Sequence, residues 1–177
     1  MQRTIYLAGG CYWGVEKYAA NIRGVLATEV GFANGAVEAP SYAAVKQGDT
    51  GHAETVKVTY DPEALPLRAL LRLFFRIIDP TSFERQGGDV GNQYRTGVYY
   101  EAEEDGEIAR EELDRLAPDY DAPILVECLP LDCFYPAEEY HQKYLDKNPG
   151  GYCHVPLAEI LWVKGIDPRK ETGLDAE

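Results

Sequence analysis

An apolar strand passes into a helix through two glycines near the start of the chain, and this junction restricts the fold more than any other segment. Residues 5–8 are apolar, and the apolar positions 15, 18, 19 and 22 then repeat at the spacing of one helix face. Gly24 ends the helical pattern. The sequence therefore places the thiol of Cys11 where a strand gives way to a helix N-terminus.

This position predicts a reactive thiol. The free backbone N–H groups and the dipole of a helix N-terminus favour an anion, so we expect them to lower the pKa of Cys11. Flanking glycines allow another molecule to approach closely, and Tyr12 and Trp13 offer an apolar wall directly after the thiol. The alternative interpretation is that Cys11 is a buried small hydrophobe, as many lone cysteines are.

The composition favours a globular protein that binds neither nucleic acid nor membranes. The chain has 177 residues, 45% of them hydrophobic, and a net charge of −13, which disfavours polyanionic partners. No apolar leader follows Met1 and no run is long enough to span a membrane, so we expect a cytoplasmic protein. In a reducing compartment the four cysteines would be catalytic or structural thiols and not permanent disulfides.

The remaining patterns interleave strands with helices. Strands are predicted at residues 4–8, 25–32, 53–60, 96–100 and 124–129, and helices at residues 14–23, 67–78, 103–116 and 137–147, with a short helix at 42–46. This alternation predicts helices packed on a sheet, in an α/β or α+β layer. We expect one domain over residues 1–165 and a polar C-terminal tail over residues 166–177.

Glu54 is the second candidate for chemistry. In the alternating strand pattern its side chain shares a face with Val56, Val58 and Tyr60. Burial disfavours the charged form of a carboxyl group and so raises its pKa, which keeps an acid protonated near pH 7. The alternative is that Glu54 caps the strand end and reaches water.

Two glycine-containing loops hold further candidates. Asp89, in the loop at 86–95, either serves a binding site or only stabilises its own turn. Cys153 follows two glycines that give its thiol freedom to move. Cys128 shares a strand face with apolar residues and is expected to be buried and inert, whereas Cys133 is ambiguous.

The histidines do not predict a metal site. Together with the cysteines they show no recognised zinc spacing. His141 lies on the apolar stripe of the predicted helix at 137–147 and is expected to be a core residue.

Taken together, several segments resemble the A-type peptide methionine sulfoxide reductases. They are residues 10–14, 48–54, 88–95, 134–142 and 148–153, and the similarity extends over about residues 4–163. The resemblance implies an α+β fold, a two-layer sandwich with a ferredoxin-like core and a loop-rich C-terminal segment. It also implies reduction of methionine-S-sulfoxide, free or in oxidised proteins, as a repair of oxidative damage.

The same resemblance implies the roles of three residues in the reaction. Cys11 would be the nucleophile, and Glu54 would donate a proton to the sulfoxide oxygen. Cys153 would resolve the oxidised Cys11, and thioredoxin would then regenerate the enzyme.

Five further residues would form the substrate pocket. Trp13 would hold the substrate methyl group together with Tyr12, which stands where the family usually has Phe. We expect the Tyr12 hydroxyl to turn outward while its ring packs. Tyr42 and Tyr94 would hydrogen-bond the sulfoxide oxygen, and Asp89 would shape the polar side of the pocket.

The chemistry of a sulfoxide favours the same assignment. Its sulfur is a soft electrophile, and its oxygen departs only when protonated, so the reaction needs a thiolate and a general acid. The sulfenic acid that results condenses with a second thiol, and thiol–disulfide exchange restores the enzyme. This scheme needs no metal and no organic cofactor. The resemblance implies thioredoxin as the partner besides the substrate, and we expect the chain to act as a monomer.

Two other functions compete with this one. A cysteine hydrolase would pair Cys11 with His52 or His141 as base and would need no second thiol. A peptide-binding module would use the aromatic pocket alone, with Cys11 buried and unreactive.

Overall fold

A six-stranded sheet forms the centre of the protein. The computed structural model describes residues 1–175 of the chain. Its strands are β1 (Arg3–Gly9), β2 (Val25–Ala33), β3 (Ala53–Tyr60), β4 (Arg85–Gln86), β5 (Asp89–Val90), β6 (Thr96–Tyr100), β7 (Glu127–Pro130) and β8 (Phe134–Pro136). The order in the main sheet is β7-β6-β1-β3-β2-β8, and β4 and β5 form a separate two-stranded hairpin.

Helices connect these strands and follow them. They are α1 (Tyr12–Ala20), α2 (Tyr42–Lys46), α3 (Leu67–Phe75), α4 (Glu103–Leu116), α5 (Tyr144–Lys147), α6 (Leu157–Gly165) and α7 (Pro168–Glu171). Within the described residues, no helix combines the length and apolarity that crossing a membrane requires.

Most of the sheet is antiparallel. Strand β1 pairs antiparallel with β3 and β6, and β2 pairs antiparallel with β3 and β8, whereas β6 and β7 are parallel. The register sets Glu54 of β3 opposite Phe32 of β2. The fold is therefore α+β, as the sequence predicts.

The larger hydrophobic core lies between one face of the sheet and the helices. Alternate strand residues meet apolar side chains of α1, α3, α4 and α6 there, as the period of two along a strand requires; examples are Ile5, Leu7, Val15, Val56, Val58, Leu70, Val98, Ala109 and Ile160. A smaller cluster, which includes Tyr6, Ala8 and Tyr99, covers the opposite face. The single methionine of the chain, Met1, lies outside both clusters and is 88% exposed.

Several predicted elements are confirmed with their ends. The strands at 53–60 and 96–100 and the helices at 42–46 and 103–116 occur as predicted. The strand predicted at 124–129 begins only at Glu127. Helix α6 was not predicted, because its apolar residues do not form a single face and its first turn contains no capping side chain.

The single helix predicted at 137–147 is wrong. The segment forms a 3₁₀ turn at Glu139–His141 and the short α5, separated at Lys143, whose φ is +53°. The cause is tertiary hydrogen bonding. The buried Glu16 side chain of α1 accepts the backbone N–H of Lys143 at 2.7 Å, and the Gln142 amide donates to the Val30 carbonyl at 2.8 Å. These contacts replace the helical hydrogen bonds of the segment.

The segment after residue 165 packs against the rest of the protein as far as it is described. Helix α7 lies in it, and Leu174 belongs to the larger core. The segment predicted as a polar tail at residues 166–177 thus also contains apolar residues that are buried in the core, Ile166 and Leu174. Residues 176–177 lie outside the described residues.

Replacing Glu16 by Leu should destabilise the fold by about 1–3 kcal/mol, because the Lys143 N–H and the Thr28 hydroxyl would both lose a buried acceptor. Glu16→Gln keeps the shape and one carbonyl acceptor and should lose less. Urea unfolding followed by tryptophan fluorescence measures both variants against the parent. Equal midpoints for Glu16→Leu and the parent would contradict this account of the Lys143 break.

Candidate functional site

Cys11 lies at the N-terminus of α1, as the sequence predicts. It is the N-cap residue of the helix and is only 7% exposed. The turn before it depends on Gly10, which has φ +87°. A Cβ on Gly10 would lie 2.6 Å from Cβ of Gln86, so both the backbone conformation and the space require glycine there.

The expectation of a lowered thiol pKa is wrong. Burial raises the pKa of Cys11 well above its ordinary value, and the negative charge of Glu54 raises it further. The backbone N–H of Trp13 at the helix start acts in the predicted direction and lowers the pKa, but by less than burial raises it. The helix N-terminus therefore reduces the cost of the thiolate without making it the favoured form of the free protein.

Glu54 is buried inside the protein and does not reach water from the strand end. Its side chain is 1% exposed. One carboxyl oxygen accepts the backbone N–H of Tyr12 at 3.3 Å, and the other accepts the side-chain amide of Gln93 at 2.7 Å. Burial raises the pKa of Glu54 to about 7, against the two hydrogen bonds, which lower it. The carboxyl group is thus near its midpoint of protonation at neutral pH.

Aromatic rings enclose the residues after the thiol. Tyr12 is fully buried, with its ring near Phe32, Tyr42 and His141 at centroid distances of 5.9, 6.5 and 5.5 Å. Its hydroxyl is buried too and has no hydrogen-bond partner in the described part of the chain. The expectation that this hydroxyl turns outward is wrong, because these surrounding rings leave it no route to solvent.

His141 holds the indole of Trp13 in place. Its Nδ1 accepts a hydrogen bond from Nε1–H of Trp13 at 3.0 Å, and Tyr144 stacks on the indole with centroids 3.7 Å apart. His141 is buried, as predicted, but in a 3₁₀ turn and beside the rings of Tyr12 and Tyr42. Its Nδ1 is therefore occupied and positions Trp13.

His52, the other candidate base, is also held by the backbone. Its Nδ1 accepts from the N–H of Gly35 at 3.1 Å, and its Nε2 pairs with the Val37 carbonyl at 2.7 Å. Both ring nitrogens of His52 are thus paired with the backbone. The lone pair on Nδ1 of His141 accepts from Trp13, so the neutral ring carries its proton on Nε2 and has no nitrogen left to act as the base of a cysteine hydrolase. Residues 1–175 also contain no group of three or more His, Cys, Asp or Glu side chains placed to hold a metal ion.

Two tyrosines lie close enough to the carboxyl group for its charge to act on their hydroxyls. Tyr42 begins α2, and Tyr94 ends a 3₁₀ turn. Burial and then the charge of Glu54 raise the pKa of both, to about 12 for Tyr42. Both hydroxyls therefore remain protonated donors at neutral pH.

Asp89 lies at the rim of the same site. It belongs to β5, is half-buried, and accepts a hydrogen bond from the Tyr152 hydroxyl at 2.8 Å. Its charge raises the pKa of both Cys11 and Glu54, which places it near them. Asp89 thus does more than close its own turn, because it connects the loop at 86–95 to the residue before Cys153.

Cys153 is next to the start of α1. Its Sγ lies 3.2 Å from the position that a Cβ on Gly14 would occupy. Cys128 and Cys133 lie at opposite edges of the sheet, in β7 and just before β8. Cys128 was expected to be buried, but it is only half-buried, because β7 is an edge strand with no neighbouring strand on its outer side.

Beside Cys153 the surface forms a groove of about 550 Å³. Leu145, Pro149, Leu157 and Ile160 supply much of its wall, and Leu157 is exposed there. An apolar groove next to a half-buried thiol can receive part of another molecule.

Sequence reasoning missed Gln93 and considered His141 only as a core residue or the base of a hydrolase, not as the partner of Trp13. Both occur in segments that carry the family resemblance, at 88–95 and 134–142, but no pattern in those segments shows what their side chains contact. The partners of Gln93 and His141 are 39 and 128 positions away along the chain, so only the folded structure reveals them.

The comparisons with known proteins agree with this geometry. The sequence model described as "Peptide methionine sulfoxide reductase" matches residues 3–164. The chain belongs to the peptide methionine sulfoxide reductase family. It is an oxidoreductase of the A type, which reduces methionine sulfoxide in peptides.

Individual members of this family are similar over most of the chain. The MsrA of Lachnoclostridium phytofermentans is 58% identical over 88% of this chain and 93% of its own. Reduced Mxr1 of Saccharomyces cerevisiae superposes with a TM-score of 0.83 at 39% identity, covering 88% of this chain and 92% of its own. Methionine sulfoxide reductase A of Corynebacterium diphtheriae has a TM-score of 0.83 at 40% identity, covering 86% of this chain and 77% of its own. Mxr1 is also known in complex with Trx2, a form similar to this chain with a TM-score of 0.58 at 25% identity, covering 81% of this chain and 84% of its own.

Replacing Gln93 by Leu should raise the pKa of Glu54 further. The amide of Gln93 donates to the carboxylate and so lowers that pKa, and its loss leaves the charged form buried with one donor fewer. A ¹³C-glutamate NMR titration, with the Glu54 signal assigned from Glu54→Gln, measures the shift. Asn92→Ala is the control, because the neighbouring Asn92 side chain donates to the Gly48 carbonyl instead. A Glu54 titration that is the same in Gln93→Leu and the parent would disprove this account.

Proposed function

We propose that Cys11 attacks the sulfur of a methionine-S-sulfoxide while Glu54 protonates its oxygen. One observation carries this proposal. The carboxyl group of Glu54 is bound to the backbone N–H of Tyr12, the residue after Cys11, and both functional groups are buried in one aromatic site. A buried acid beside a buried thiol is the pair that sulfoxide reduction needs.

The protonation states of this pair support the direction of the reaction. Glu54, with a pKa of about 7, has a substantial protonated fraction at neutral pH and can act as an acid. When it is protonated, its charge no longer raises the pKa of Cys11. The positive end of the sulfoxide S–O dipole, placed against the thiol sulfur, would favour the thiolate further. Substrate and protonated Glu54 would thus activate a thiol that is inert in the free enzyme.

The pocket has an apolar side and a polar side. We assign the substrate methyl group to the rings of Tyr12 and Trp13, the latter held by His141 and Tyr144. We assign the oxygen to Glu54 and to the hydroxyls of Tyr42 and Tyr94, with Asp89 at the polar rim. Two opposed sides of this kind distinguish the epimers of a chiral sulfur.

The proposed reaction has two steps, an oxygen transfer to Cys11 and the formation of a disulfide. In the first, the Cys11 sulfur is oxidised to a sulfenic acid as it takes the oxygen, and the sulfoxide sulfur is reduced to the thioether of methionine. In the second, the Cys153 thiol attacks that sulfenic sulfur, an S–S bond forms, the S–O bond breaks and water leaves. The proximity of Cys153 to Gly14 supports its role in this step.

Thioredoxin is the reductant that we propose for the disulfide. Its dithiol would exchange with the Cys11–Cys153 bond and be oxidised in turn. Two observations support this partner: the yeast relative Mxr1 has been solved in complex with Trx2, and an apolar groove lies beside Cys153. We further propose that the protein acts as a cytoplasmic monomer in the repair of oxidised methionine, free and in proteins.

The finer architecture is also a proposal. The strand order β6-β1-β3-β2, with α1 between β1 and β2 and α3 between β3 and β6, supports a ferredoxin-like core within a two-layer sandwich. A loop-rich C-terminal segment follows it, and residues 1–165 would form the catalytic domain.

The decisive assay gives the protein each epimer of a blocked methionine sulfoxide with dithiothreitol and measures methionine by chromatography. The S epimer should be reduced at least about a hundredfold faster, because inversion at sulfur leaves buried polar groups of the pocket unpaired. Cys11→Ser is the control for background and should be inactive, since its hydroxyl is too weakly acidic to supply the anion. Comparable rates for the two epimers, or turnover by Cys11→Ser, would refute the proposed site.

Glu54→Gln should slow the first step by about 10²–10⁴ at pH 6, the usual contribution of a general acid. Only protonated Glu54 is active, so the ratio of parent to variant rates should be constant below pH 7. Above the pKa of about 7 it should fall roughly tenfold per pH unit. Single-turnover stopped flow at subsaturating substrate measures the ratio, with Glu16→Gln, another buried glutamate, as a control that should show no break. A ratio that does not change with pH would assign the proton to another group.

A further inference from the structure

We propose that His154 is a positioning residue for the second step: it holds the Cys153 segment against the start of α1, so that the Cys153 thiol stays within reach of oxidised Cys11. The inference rests on the proposed role of Cys153 and adds a residue to it. His154 was not a candidate from the sequence.

The imidazole of His154 connects the two thiol-bearing segments. Its Nε2 pairs with the carbonyl oxygen of Gly9 at 3.0 Å, and Gly9 is the last residue of β1, two positions before Cys11. A carbonyl oxygen only accepts, so Nε2 of His154 carries a proton and donates it to this bond. Burial lowers the pKa of His154, which favours the neutral form of the ring at the working pH.

Gly14 provides the surface on which this segment rests. A Cβ at Gly14 would lie 3.2 Å from Sγ of Cys153, 3.2 Å from Nδ1 of His154 and 3.1 Å from Cγ2 of Val155. These three consecutive residues therefore contact the first turn of α1 at a point where it has no side chain. Nδ1 of His154 is buried and has no hydrogen-bond partner in the described residues, so the Gly9 contact is the polar anchor of this ring.

The rest of the Cys153 segment is held less firmly. Before it lie Gly150 and Gly151, and the bond of Tyr152 to Asp89 is at the exposed surface. After it, Val155 is buried. Without the His154 anchor the glycine-containing loop would sample many more conformations, and the effective concentration of the Cys153 thiol near Cys11 would fall. The first step uses no atom of this segment and would not change.

The test separates the two steps in enzyme without reductant. Rapid quench after mixing with methionine-S-sulfoxide gives the methionine formed per enzyme, which accompanies the loss of the first free thiol. Loss of the second free thiol gives disulfide formation, and dimedone added to a parallel sample traps the sulfenic acid. His154→Leu removes the donor at similar volume, whereas His154→Gln retains an N–H donor that can reach the Gly9 carbonyl.

We expect the first-step rate to be the same within twofold in the parent and both variants. Disulfide formation should slow roughly tenfold in His154→Leu, about what a lost buried hydrogen bond is worth, with sulfenic acid accumulating, and should return close to the parent rate in His154→Gln. Gly14→Ala provides an independent arm, because its added Cβ displaces all three residues of the segment and should produce the same lag.

The possible failures can be told apart. A parent disulfide rate in His154→Leu, or a lag in His154→Gln as long as that in His154→Leu, overturns the inference and leaves the proposed function intact. A Cys153→Ser variant that still loses two thiols at the parent rate overturns the resolving role of Cys153 and the inference with it. Circular dichroism and thermal melting of each variant identify a loss of folding. If His154→Leu does not fold, His154→Phe, which also lacks the donor but keeps an aromatic ring, takes its place.

Discussion

The pair of hydrogen bonds at the Glu54 carboxyl group is the interaction on which the site depends. A carboxyl group in the middle of a sheet is costly to bury unless donors reach it. Here one donor comes from the start of α1 and the other from the turn that contains Gln93. The same two bonds fix the thiol-bearing helix and the tyrosine-bearing turn relative to β3. The two hydrogen bonds that lower the pKa of Glu54 therefore also hold the surrounding segments in place.

Opposing effects set the pKa of this carboxyl group. Burial is the largest and raises the pKa of Glu54, whereas full solvation would leave the group charged at neutral pH. The two donated hydrogen bonds bring its pKa back to about 7. For Cys11 the balance is less even, since the single helix N-terminus does not offset burial and a nearby acid. The free protein therefore favours the protonated thiol, and in the proposed reaction Glu54 and the substrate would have to activate it.

Local sequence patterns predicted the elements whose contacts are local or periodic. The strand that contains Glu54 and the amphipathic α4 each show a clean period, and both occur at the predicted bounds. The helix predicted at 137–147 also has the period of a helix, but Glu16, more than a hundred residues earlier, accepts the Lys143 N–H and breaks it. The prediction that the pKa of Cys11 is lowered is wrong for a similar reason. The helix terminus is visible in the sequence, whereas the degree of burial depends on the packing of the whole domain.

The absence of methionine from the interior has a consequence for an enzyme of this family. An oxidant strong enough to convert methionine in other proteins puts a polar oxygen into their packed cores. Here leucine, isoleucine, valine and aromatic side chains fill that space, and the single thioether is at the exposed first residue. Oxidation of methionine therefore cannot put an oxygen into the packed core of this protein, because no thioether lies there.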